Sequence, residues 1–175
     1  MPFYDTAELR IQHDEALGLL RAEWVSGRSL ARLQPALLAL LQLAQAQQVT
    51  HVQLELDALP DLSVFDQIWL GTTWMPKVLP LPLRQVVLVL GSARIYNVHA
   101  IETLLMALRT FIRFDVQFFS QPEPGLQWLL ASASAQLPRL LAEWQQAYGL
   151  PPAGADSFAE PLPAYGSPLP LGLPT

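Results

Sequence analysis

Polar and apolar residues alternate over residues 8–13, Glu-Leu-Arg-Ile-Gln-His, which is the period of a half-buried strand. Asp14 and Glu15 read as a turn. A second strand from about Leu17 to Val25 then puts Leu20, Ala22 and Trp24 on one face, so the pair predicts an antiparallel hairpin. Gly27 stops the second strand, and Ser29 is placed to cap a helix. That helix carries its apolar stripe on Leu30, Leu33, Leu37, Leu40, Leu41 and Ala44, and Pro35 falls near its first turns, where proline is tolerated. His51 to Leu56 alternates again and predicts a third strand. Ser63 and Asp66 resemble a capping box opening a second helix through Phe65, Ile68, Trp69, Met75 and Val78, with Pro76 expected to kink or end it.

The run Gln85-Val-Val-Leu-Val-Leu90 is continuously apolar, as expected of a strand covered on both faces of a parallel sheet. Asn97 is read as the cap of a third helix with the stripe Ile101, Leu104, Leu105 and Leu108. Arg113 to Phe119 alternates as a fifth strand. Pro124 would launch a last helix, Pro138 would break it, and an amphipathic piece continues through Leu140, Leu141 and Trp144. The order β-β-α-β-α-β-α-β-α predicts an α/β domain over residues 1–150. Its sheet is expected to be five-stranded, mixed and mostly parallel, with an N-terminal antiparallel hairpin and flanking helices. Prolines crowd the stretch from Pro151 to Pro174, so residues 151–175 read as an irregular or extended Pro-rich tail.

Composition narrows the function. A chain of 175 residues has enough core to fold without staples. Its apolar fraction of 51% and charged fraction of 14% point to a generous core and to apolar surface for a partner, with a homodimer as the simplest cover. A net charge of −5 with only 10 scattered basic residues disfavours nucleic acid. The absence of cysteine removes disulfides, thiolate nucleophiles and Cys-ligated metals. The N-terminal stretch does not read as a signal peptide. The longest apolar run, Pro35 to Leu41, is too short to span a bilayer, so no transmembrane segment and a cytoplasmic location are expected.

The chemistry-bearing patterns are sparse. No phosphate-binding glycine fingerprint follows any strand; Leu90-Gly-Ser-Ala-Arg94 offers one glycine, which reads better as a strand-ending turn. His13, His51 and His99 sit on different elements without metal-ligand spacing, and Asp57, Asp61 and Asp66 are accounted for as strand end, turn and cap. No nucleophile elbow is present, so neither catalytic residues nor a cofactor nor a metal is expected. Ser63 precedes a helix N-terminus, where an added phosphate would be favourable, although simple capping is the plainer role. Trp74 is open to two readings: exposed at an interface with Arg94 or Tyr96, or turned inward by the kink at Pro76.

Asp66-Gln-Ile-Trp69, Met75-Pro76, the strand Val86 to Leu90, the closing Gly125-Leu-Gln-Trp-Leu-Leu130 and the early Trp24-Val-Ser-Gly27 together resemble bacterial STAS/SEC14-type (SpoIIAA-like) proteins over roughly residues 5–131. The resemblance implies a STAS-like α/β domain that binds protein partners and is not an enzyme. Anti-sigma antagonists of that family carry an Asp-Ser-Ser/Thr-Gly phosphorylation motif, whereas this chain reads Asp61-Leu-Ser63-Val-Phe-Asp66. The expected function is therefore a non-catalytic protein-interaction or regulatory domain, with Ser63, Asp66, Trp74, Arg94 and Tyr96 as the candidate interaction surface. The alternative is a carrier or sensor for a lipid or other apolar small molecule.

Overall fold

A computed structural model describes residues 3–25 and 29–149. The predicted stop at Gly27 and the Pro-rich segment from Pro151 lie outside the described residues. Among the described residues six strands form one sheet: β1 (Phe3–Asp5), β2 (Leu9–Asp14), β3 (Leu19–Trp24), β4 (His51–Glu55), β5 (Gln85–Val89) and β6 (Asp115–Phe119). The sixth strand is the correction to the sequence reading. Phe3–Asp5 pairs antiparallel with β2, as Phe3↔Gln12 to Asp5↔Arg10. Three residues are too few for alternation to show, and only pairing defines them as a strand. The β2–β3 hairpin is antiparallel, and β3, β4, β5 and β6 run parallel in succession.

Spatial order repeats sequence order from β1 to β6. Parallel crossovers that always step the same way leave their helices on one face. These are α1 (Leu33–Ala46), α2 (Val64–Trp69), a π-helical turn (Leu70–Trp74), α3 (Met75–Val78) and α4 (Ile95–Leu108). They close over Leu20, Ala22, Trp24, Val52, Leu54, Val86 and Leu88, which share one sheet face by register. The α1 stripe is buried as its spacing predicts, but the helix starts at Leu33. Ser29 accepts a hydrogen bond from the Ala31 amide instead of capping it.

The second face is covered by α5 (Pro122–Leu129) and α6 (Leu137–Tyr148). Pro122 opens α5, two residues ahead of Pro124, and Pro138 lies in the first turn of α6. Where β5 runs, this face is apolar, and Val87 and Val89 pack with Leu126, Leu129, Leu130 and Leu140. Where β2 to β4 run, it is polar apart from Leu19 of β3, which packs with the same cluster. Arg21 donates to Glu55 through Nε (2.5 Å) and Nη2 (3.3 Å), and both side chains are buried. Gln53 bridges Glu55 and the Pro122 carbonyl, while Gln12 donates to the Leu140 carbonyl. Helix α6 sits on this polar half largely through its rings. Trp144 lies 3.8 Å over the Arg21 guanidinium, and Tyr148 packs edge-on to Trp144 and donates its hydroxyl to Asp5. Arg139 completes the attachment with an ion pair to Asp14 at 2.6 Å.

Candidate functional site

Because the strand order never reverses, the sheet has, among the described residues, no switch-point crevice of the kind that holds nucleotides in doubly wound folds. Its carboxyl edge is instead packed with loop. The segment after β4 runs from Leu56 to Leu62 and meets the segment after β5, Leu90 to Arg94. Asp57 accepts the Gly91 amide at 2.7 Å, and Arg94 Nε donates to the Asp57 carbonyl at 2.6 Å. A Cβ at Gly91 would stand 2.7 Å from the Asp57 carboxylate, so this close approach needs a glycine.

Asn97 ties the two segments together. Its side chain is fully buried, accepts from the Leu62 amide (2.9 Å), and donates to the carbonyls of Leu59 (3.2 Å) and Pro60 (3.0 Å). It is therefore a pin for the neighbouring loop and not the predicted cap: α4 begins at Ile95 with no side-chain cap. The signal was present, since Asn97 falls four residues before Ile101 on the half-buried apolar stripe of α4, and a polar group buried there must be hydrogen-bonded.

Ser63 caps α2 as its spacing predicts, accepting the Asp66 amide at 3.1 Å. Its hydroxyl donates to the Asp66 carboxylate at 2.5 Å. A phosphate on Ser63 would thus meet a carboxylate as well as the helix N-terminus, and the two effects oppose each other. The Tyr96 hydroxyl donates to the Leu62 carbonyl (3.2 Å) and accepts from Gln67 (3.1 Å), which locks the ring beside α2.

Around this braced loop stands a group of exposed apolar side chains. Phe65 is 82% exposed, and Val64, Ile68, Ile95 and Tyr96 are also exposed. Ser63 and Asp66 at the start of α2 and Arg94 and Tyr96 at the start of α4 flank the same braced loop at the carboxyl edge. Trp74 does not. A π turn spends more residues per revolution than an α turn, so Trp74 comes back toward the face of Trp69, and both rings pack on the core. Its indole N–H donates to the Leu37 carbonyl of α1 at 3.0 Å. The inward reading is the observed one. Sequence reasoning did not single out Val64, Phe65, Ile68 and Ile95 as surface; Phe65 and Ile68 stand there only among the apolar positions of the second helix.

Trp74 also lines a cavity of about 130 Å³ between the sheet and the α1–α4 layer, walled entirely by apolar residues that include Leu37, Leu54, Met75, Leu88 and Leu104. By the mutational scale for core voids, a volume of that size lowers stability by about 3 kcal/mol relative to a filled core.

Among the described residues no cluster of three or more His, Asp or Glu could hold a metal ion. His13 is buried with neither ring nitrogen hydrogen-bonded, and burial holds its pKa below the ordinary value, against the opposing charges of Asp14 and Glu15. Burial would raise the Asp14 carboxyl, but the Arg139 hydrogen bond and the Leu17 and Ala16 amides outweigh it and hold it low. Glu23 is pushed up by burial and by the nearby Glu55. His51 is lowered by burial and by Arg84, and its Nδ1 lies 2.8 Å from the Thr50 hydroxyl. Among the described residues no helix is long and apolar enough to cross a membrane. Comparison with known proteins found no matching family model, no matching curated sequence and no matching solved structure, so the STAS-like resemblance rests on the residues quoted for it.

Proposed function

We propose that this chain is a non-catalytic protein-interaction or regulatory domain of the STAS-like (SpoIIAA-like) type, which docks a protein partner at the carboxyl edge of its sheet. One observation carries the reading: Val64, Phe65 and Ile68 on α2 and Ile95 and Tyr96 on α4 expose apolar surface at two helix starts that flank a loop held by Asn97, Asp57 and Tyr96. Scattered apolar residues on a surface need no explanation, but a group of them on a preorganised frame suits docking, since little entropy is lost on binding. The acid and hydroxyl of Asp66 and Ser63 at its border supply polar contacts of the kind found at interface rims.

The test places a photo-crosslinking amino acid at position 65 and, as a control, at the exposed Gln136. Covalent adducts to a defined protein are expected from position 65 only, and they should be lost when Ile68→Asp is added. Adducts of twice the chain mass would identify the partner as a second copy. Equal labelling from both positions, or none from 65, would overturn the reading.

A further inference from the structure

We infer that the cavity between the sheet and the α1–α4 layer is a binding site for one compact, uncharged, apolar molecule of about the size of benzene. This inference does not rest on the docking surface, which lies outside the core. The volume of about 130 Å³ sets the size. A dry cavity of roughly 150 Å³ lined by aliphatic and aromatic side chains is known to accept benzene or xenon, so this one takes a single ring or a short branched alkane and has no room for the chains of a diacyl lipid.

The lining sets the chemistry. Every wall residue is apolar, and the one indole N–H with a described partner, that of Trp74, is already committed to the Leu37 carbonyl. A ligand with a hydroxyl or a charge would lose its water without gaining a partner, which costs several kcal/mol and excludes polar compounds. Selectivity thus follows from what the walls lack.

The backbone supplies an independent observation. The helix leading from β4 to β5 contains a π-helical turn, Leu70–Trp74, and such turns are rare and concentrate at functional sites. Leu70 and Trp74 from that turn, with Met75 directly after it, all line the cavity. A regular α-helix would carry Trp74 away from this face. The irregular turn therefore builds the wall. Small residues make the space: Ala22 on β3 stands between Ile11 and Leu54 on its neighbouring strands, where a larger side chain would fill the volume.

The test uses the full chain, with benzene and xenon as probes. Methyl-resolved NMR should show saturable shifts centred on Leu54, Leu88, Met75 and Leu104, and Trp emission excited at its red edge should change in parallel, since Trp24 and Trp74 both line the site. The Tm should rise with benzene and stay unmoved by an equal concentration of a charged analogue such as benzoate. Ala22→Leu is expected to weaken benzene binding about tenfold or more, because its added carbons occupy the ligand's volume. If that variant does not fold, xenon titration of the unsubstituted chain decides alone. Shifts confined to Val64, Phe65 and Ile68, binding insensitive to A22L in a folded protein, or no saturable response to either probe would each overturn the inference.

Discussion

Asn97 shows how much one residue can settle. It answers one amide and two carbonyls of a loop that has turned away from the sheet, in a site closed to water. Replacing it with alanine leaves those backbone groups buried and unpaired, which costs more than the loss of an exposed hydrogen bond. Asn97→Ala is expected to lower stability by about 2–4 kcal/mol in urea unfolding, with increased hydrogen exchange at Leu62. Ser63→Ala, which removes only an exposed cap, should cost about 1 kcal/mol or less and serves as the comparison. The sequence displays Asn97 as a polar residue near a helix start, where capping is the common role. Its true partners lie more than thirty positions upstream, beyond the reach of local pattern.

Elements were legible where their own residues decide them. The alternation in β2, β3 and β4 and the apolar run of β5 mark strands by side-chain period alone, and Ser63 fixes the start of α2. The short β1 and the π turn were not legible, because pairing defines the first and packing against α1 and α4 accompanies the second. Contact between elements is sharpest at Gly125 of α5. A Cβ there would lie 2.7 Å from both Gln53 Oε1 and Val87 Cγ1, and Gln53 is held by Glu55 and the Pro122 carbonyl. Gly125→Ala should therefore push α5 off the sheet and lower stability by about 1–3 kcal/mol in denaturant titration, despite the better helix propensity of alanine. At Gly71 the nearest atom is the end of the Leu104 side chain at 3.0 Å, which can move, so Gly71→Ala should be close to neutral.

For the whole molecule, the buried His13 and the half-buried His51 shape the response to acid. The pKa of His13 and that of His51 both lie below 6.5 in the folded chain. As pH falls below 6.5, the unfolded chain takes up protons that the native state does not, so stability is full above that value and declines toward the folded pKa values. Asp14 acts in the same direction lower down, below 3.8. Glu23, whose folded pKa is raised, acts oppositely: its contribution is present below 4.5 and lost as pH rises past its folded value. His13→Leu should flatten the decline in urea midpoint between pH 6.5 and about pH 5, and an unchanged slope would show that His13 is not its source.

The agreement between spatial and sequential strand order carries a consequence for how the chain is made. Each strand of the sheet pairs with the one synthesised just before it. A nascent chain can therefore add strands in the order they leave the ribosome, with short loop closures and no waiting for a distant partner. Helix α6 breaks that rule, since Gln12 meets Leu140 across 128 residues. The polar half of the second face, with Arg21 and Glu55, stays open to water through most of synthesis and closes only when the last helix arrives. Its polarity suits that delay, because a wet charged face awaiting its cover is far less prone to capture by other chains than an apolar one.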